Sequence, residues 1–212
     1  MPSAASLLEK IENPWLRAFL AADWQEIAIA QVVVRRVGKA FELRHAADRD
    51  AADLKPLRAP DARSLAAFND NGEFRPLKAT PDLKSGWIIR ADTPDDLADA
   101  LQHIYPNALA DRFALTQSPP PITDYRAFTA RQSGMYRITS FLADSDLARV
   151  VNNVCGTICL KQRLWTAPNI PPDREETKSL VPCLEPCAIL LEAARKEVRA
   201  LQEKDRASTP PP

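Results

Sequence analysis

The stretch EIAIAQVVVRRVGKAFELRH, residues 26–45, decides the fold class. Ile27, Ile29 and Val33 open a β-rich run just where a helical period ends, and branched side chains suit a pleated, half-buried surface. Residues 26–36 and 40–45 flank VGKA, whose Gly38 can supply a positive φ, so the pattern predicts a hairpin with His45 at its exit. On the amino-terminal side, Ser6–Glu12 and Trp15–Ala22 read as two short amphipathic helices broken at Pro14. On the carboxyl-terminal side, Asp61 is placed to cap a short helix through Phe68, and NDNG at 69–72 has turn chemistry. GWIIRAD, 86–92, is the next strand. Thr93, followed by Pro94 and two aspartates, starts a helix that runs through Leu97 and Leu101 to about Tyr105. A sheet of 26–36, 40–45 and 86–91 with these helices makes an α+β amino-terminal domain with an antiparallel sheet, about 1–118.

The run SPPPIT, 118–123, resists both helix and central strand and marks the expected domain boundary. A mostly helical second domain is predicted over about 123–205, with a frayed tail at 206–212. Within it, Ser145–Val154 and Cys155–Trp165 read as helical with an interruption at Gly156. A final helix is predicted over about 184–204, its start bracketed by Pro182 and Pro186.

Composition narrows the function classes. The 212 residues are 45% apolar, enough to bury a real core. The 28 basic and 28 acidic side chains cancel, so broad electrostatic binding to nucleic acid or anionic lipid is not expected. Glu9, Lys10 and Glu12 interrupt any signal-peptide core, and runs such as IAIAQVVV and CAILLEAA fall far short of the roughly 20 residues that span a bilayer. The expectation is a soluble, cytoplasmic protein.

The chemistry is concentrated in the cysteines. All four fall between 155 and 187, which chance placement would achieve on the order of one time in a hundred, so the clustering calls for a cause. They form two C-x3-C pairs, Cys155-GTI-Cys159 and Cys183-LEP-Cys187. On a helix, residues four apart share a face with Cβ atoms roughly 5–6 Å apart. A disulfide within a pair wants about 3.5–4.5 Å, so a large ligand body fits such a pair better. Four soft thiolates select zinc or an iron–sulfur cluster. Structural zinc sites typically use shorter C-x2-C knuckles, which leans the spacing toward the cluster. Arg131 to Trp165 carries Arg131, Arg137, Arg149, Lys161 and Arg163 against Asp144 and Asp146, a net charge of +3 that suits an anionic cluster. Cys183 is expected near the start of the last helix, where the macrodipole favours a thiolate. The competing readings are cysteines packed as small apolar residues, paired disulfides, and a four-cysteine zinc site.

RQSGMYR (131–137), CGTICLKQRLW (155–165) and PCLEPCAILLEAAR (182–195) resemble the iron–sulfur domain appended to CbiX-type sirohydrochlorin chelatases. FRPLKATPDLKSGWII (74–89), a following helix and YPNAL (105–109) resemble the companion stabilising domain of the same proteins. The resemblance implies a four-iron, four-sulfur cluster with ligands at Cys155, Cys159, Cys183 and Cys187. No stretch of these residues resembles the chelatase domain itself. The implied role is a redox or accessory protein of tetrapyrrole (sirohydrochlorin or cobalamin) metabolism, working beside a sirohydrochlorin-type chelatase or another redox protein. The alternative is a non-catalytic interaction module stapled by its metal.

Other residues carry two readings each. Arg131, Tyr136 and Arg137 belong to the family motif and could donate hydrogen bonds to the cluster, or cap and pack an ordinary turn. Trp165 could shield the cluster or be a plain core aromatic. His45 and His103 read as surface or cap residues. No G-x-S-x-G, H-E-x-x-H or phosphate-cradling glycine loop occurs, so no catalytic constellation is recognisable. Cys159 is followed by LKQ, so the C-x3-C-x2-C pattern of radical adenosylmethionine enzymes is missing and all four irons would have protein ligands.

Overall fold

Pro14 sits in the first turn of α1 (Pro14–Ala21), where its missing amide would lack an intrahelical partner anyway. Leu16, Phe19 and Leu20 are the buried face of that helix. The computed structural model describes residues 11–67, 83–118, 120–173 and 180–208. The proposed helix at Ser6–Glu12 therefore lies mostly outside the described residues, and its last two positions, Ile11 and Glu12, are not helical.

The run expected as one strand over 26–36 is two: β1 (Glu26–Ile29) and β2 (Val32–Val37), antiparallel, with Ile29 paired to Val32. The break falls at Ala30–Gln31, where Ala30 takes φ 51. Distant residues hold it. The Gln31 amide donates to the Tyr105 hydroxyl at 3.0 Å, its side-chain oxygen accepts from the Leu83 amide at 3.0 Å, and its carbonyl accepts from the Ala46 amide at 2.8 Å. Those bonds satisfy a buried polar residue and offset a backbone conformation that alanine disfavours. The second hairpin follows expectation: Gly38, at φ 65, turns β2 into β3 (Ala40–His45).

β4 (Lys55–Leu57) was not anticipated, because three residues with a central proline carry almost no strand signal. It is tolerated at the sheet edge, beside and parallel to β5 (Trp87–Ala91). Between them comes α2 (Ala62–Ala67), entered through Asp61, whose carboxylate accepts the Arg58 amide at 3.1 Å. Phe68 and the 69–72 turn lie outside the described residues. The sheet order is β1-β2-β3-β5-β4, all antiparallel except the last pair, so the class is α+β.

The start of α3 (Pro94–Ile104) is the predicted one. Thr93 Oγ accepts from the Asp96 amide at 3.1 Å, while the Asp96 carboxylate accepts the Thr93 amide at 3.1 Å. The helix buries Leu97, Ala100, Leu101 and Ile104 in a core shared with Val32, Val34, Leu43 and Ile89 of the sheet. α4 (Ala108–Gln117) completes this part.

The chain divides into two compact units, Met1–Pro120 with Lys178–Pro182, and Pro121–Thr177 with Cys183–Pro212. The second unit begins with α5 (Tyr125–Ala130), whose first turn is capped by Asp124 accepting from the Ala127 amide at 2.9 Å. A 3-10 segment (Gly134–Phe141) and α6 (Asp144–Val151) follow. α6 runs directly into a π-helix over Asn152–Cys159. Two short strands, β6 (Gln162–Arg163) and β7 (Pro182–Cys183), precede α7 (Ala188–Ser208). Tyr125, Leu147, Trp165 and Leu190, all fully buried, form the core of this unit.

Two expectations are corrected here. Cys155–Trp165 is not helical to its end: Leu160 takes φ 56, which stops the helix, and Gln162–Arg163 is extended. The last helix starts at Ala188, since Cys183 is in a strand and the first intrahelical bond runs from the Leu191 amide to the Cys187 carbonyl at 3.0 Å.

His45, the last residue of β3, accepts the Ala47 amide on Nδ1 at 3.1 Å, while Nε2 is buried without a partner. Burial holds its pKa below 6.5, against a smaller opposing pull from Asp48. The unfolded chain then takes up the proton first as pH falls, so this contribution to stability is present above about pH 6.5 and lost as pH drops through the depressed folded value. His45→Asn keeps an acceptor for Ala47 and removes the titration. Urea unfolding of this variant between pH 7.5 and 5 should show a shallower loss of stability than the wild type; identical slopes would refute the assignment.

Candidate iron–sulfur site

Each cysteine pair is presented by a different backbone device. Cys155 and Cys159 lie on the π-helix, where the Leu160 amide bonds to the Cys155 carbonyl at 3.2 Å, five residues back. Such wide turns are rare and often mark functional positions. Gly156 leaves open space around its Cβ position, so sterics do not demand glycine there. Both cysteines are buried, Cys155 within the core of the second unit.

Cys183 and Cys187 are half-buried and pack against the same core. The Cys183 carbonyl accepts from the Leu164 amide at 2.9 Å, and its thiol donates to the Glu185 carbonyl at 3.4 Å. The seat at the amino end of the 21-residue α7, expected for Cys183, belongs to Cys187.

The electrostatics tie the four sulfurs together. Burial pushes the Cys155 thiol far above its ordinary pKa, and negative charge on Cys183, Cys159 or Cys187 pushes it further. Burial likewise raises Cys183 to about 11; the Trp165 side chain opposes that rise, while Cys187 and Cys159 add to it. Arg163 acts in the opposite sense on Cys155, and Lys161 on Cys183. Sequence reasoning counted these two cations only as part of a net charge, because nothing local distinguishes them from solvated side chains.

Much of that net charge is already spent within the protein. Arg149 pairs with Asp146 and Glu197, each at 2.8 Å. Arg163 is 4% exposed and pairs with Asp173 at 3.3 Å. It also donates to the Trp165 and Pro171 carbonyls, and its guanidinium carbon lies 5.1 Å from the Trp165 ring centre. The Asp173 carboxylate takes the Arg163 amide at 2.8 Å, and the Asp173 amide returns to the Arg163 carbonyl at 2.8 Å. Arg163 thereby clasps the loop that follows Trp165.

Of the four residues weighed as neighbours of a cluster, Trp165 lies in the same core as Cys155, and its chain neighbour Leu164 bonds to the Cys183 carbonyl. Its ring is fully buried, 6.1 Å from that of Tyr125. Its Nε1 is buried without a hydrogen-bond partner. Arg131 and Arg137 are exposed, at the end of α5 and in the 3-10 segment, and Tyr136 is half-buried against the core.

The donor set fits an iron–sulfur cluster: four soft thiols and apolar surroundings. Among the described residues no three Cys, His, Asp or Glu side chains are gathered to hold one metal ion.

Comparison with known proteins agrees with this chemistry. Residues 117–196 match the 4Fe-4S iron-sulfur cluster binding domain family, and residues 14–116 match the DR2241 stabilising domain family. The chain is thus built of a DR2241 stabilising domain followed by a 4Fe-4S cluster binding domain. Its cofactor is a 4Fe-4S cluster. The crystal structure of DR2241 from Deinococcus radiodurans is similar, with a TM-score of 0.59 and 27% identity over 82% of this chain and 39% of that one. That protein is described as multi-domain, structurally similar to chelatases, with two additional novel domains. The present chain thus spans about two fifths of its length. No curated protein matches the sequence.

Because Arg163 and Asp173 are both largely buried, removing one charge strands the other, at a cost of about 3 kcal/mol. Asp173→Ala should lower the urea midpoint for the second unit, read by amide exchange at Leu147 and Leu190. Unchanged protection there would refute the clasp.

Proposed function

We propose that Cys155, Cys159, Cys183 and Cys187 hold the 4Fe-4S cluster. We further propose that the protein is a redox or accessory protein of tetrapyrrole (sirohydrochlorin or cobalamin) metabolism. The observation that carries the ligand set is the packing of Cys155, Cys183 and Cys187 on one core, with Cys159 on the same π-helix as Cys155. A cluster held by four thiolates supplies one-electron chemistry, with its potential set by hydrogen bonds and burial. The chain's own residues contribute the rest. The π-helix and the Cys187 seat fix the two pairs, Leu147 and Leu190 exclude water, and Arg163 and Lys161 offset negative charge on Cys155 and Cys183.

The tetrapyrrole link is supported by the chelatase-like architecture described for DR2241. The proposed partner is a sirohydrochlorin-type chelatase or another redox protein, in the cytoplasm. No helix among the described residues is long and apolar enough to cross a membrane. The second reading, an interaction module with a structural cluster or a four-cysteine zinc site, is favoured by the place of Cys155 within the core, where any metal would also staple the fold.

Protein purified without oxygen should be brown, absorb broadly at roughly 400 nm and carry about four irons per chain. Serine at any one of the four cysteines should lower iron content and loosen the second unit more than the first. A colourless protein with stoichiometric zinc would overturn the assignment. Reversible one-electron reduction, followed by electron paramagnetic resonance as a chelatase is added, supports the redox role; a cluster inert to strong reductant supports the staple.

A further inference from the structure

Three stretches distant in the chain meet within the first unit and line a cavity of about 830 Å³. They are the entry to α1 at residues 11–13, the β2–β3 turn with its flanks, and the junction of β5 with α3 at residues 92–95. That volume suits a small-molecule site, and such sites combine an apolar wall with a few fixed polar groups. Ile11, Leu20, Phe41 and Pro94 supply the wall.

Arg36 is the fixed polar group. Its Nη2 donates to the Leu20 carbonyl at 2.7 Å and to the Ala22 carbonyl at 3.3 Å, and its guanidinium carbon lies 4.2 Å from the Trp24 ring centre. Carbonyls and a ring orient a guanidinium without neutralising it, and among the described residues no carboxylate pairs with it. Its Nε is buried with no partner. A pre-oriented planar cation short of an acceptor is matched by a carboxylate. Asn13, at the N-cap of α1, is its counterpart: it makes no capping bond, and its Oδ1 is buried with no donor, so it suits an N–H. Lys39 adds a second cation to the lining, but Glu12, Asp92 and Asp95 line it too, which disfavours any ligand with several negative charges.

We propose that this cavity binds a small amphipathic monocarboxylate that carries an N–H donor. The carboxylate bonds to Arg36, the N–H to Asn13 Oδ1, and the apolar body packs on Leu20, Phe41 and Pro94. The assignment is independent of the cluster.

The test titrates the full chain with N-acetyl-L-phenylalanine, which has a carboxylate, an amide N–H and an apolar ring. A second titration uses its carboxamide, which keeps the ring and the N–H and lacks the charge. Nuclear magnetic resonance follows the Gly38 amide in the turn and the Trp24 indole N–H, which bonds to the Phe19 carbonyl at 2.8 Å beneath Arg36. We expect both signals to move saturably with the acid, and the carboxamide to bind about tenfold more weakly, the loss of a hydrogen bond to a charged group. Arg36→Met keeps apolar packing on Trp24 and removes the guanidinium, so it should weaken binding of the acid by about tenfold and leave that of the carboxamide unchanged. Absence of saturable movement with the acid, or equal affinity for acid and carboxamide, overturns the proposal, as does a folded Arg36→Met variant that binds the acid as tightly as the wild type. The comparison of acid with carboxamide uses wild-type protein and decides the matter should Arg36→Met fail to fold.

Discussion

One apolar core, built on Tyr125, Leu147, Trp165 and Leu190, holds Cys155 and has Cys183 and Cys187 packed against it, and the second unit depends on it. Burial makes the Cys155 and Cys183 thiols resist ionisation, and negative charge on a neighbouring cysteine adds to that resistance. The cations near them ease only part of that opposition, because Arg163 is committed to Asp173. The same residues that would bind the metal are residues of the core, which couples cofactor retention to folding.

The two C-x3-C pairs look alike in the sequence and are built differently. One lies on a π-helix that continues α6 and ends where Leu160 turns left-handed. The other spans the gap between a two-residue strand and the first turn of α7. Equal spacing thus conceals unequal geometry. A pair on a widened helix is fixed by its own backbone bonds, whereas the second is fixed by what its flanks touch, Leu164 on one side and α7 on the other.

The first unit shows the same division between local and distant causes. Its sheet edge is a strand containing proline, and its first hairpin turns on Gln31, whose three hydrogen bonds reach Ala46, Leu83 and Tyr105. A buried residue whose backbone and side chain both bond to distant segments acts as a rivet between them.

What the sequence by itself determined was whatever rests on short-range chemistry. Gly38 marked a turn, and Thr93 with Pro94 and Asp96 a helix start. The motifs at 131–137, 155–165 and 182–195 led to the cluster family without any coordinates. Tertiary structure alone decided the rest: the split of 26–36 into two strands, the edge strand at Lys55–Leu57, the extended path after Leu160, and the burial of Trp165 in the core while Arg131 and Arg137 stay exposed. In each case the deciding contact joins residues far apart in the chain, and a window of neighbouring residues holds no record of which distant group will come to satisfy a buried amide or a guanidinium, or to cover an indole.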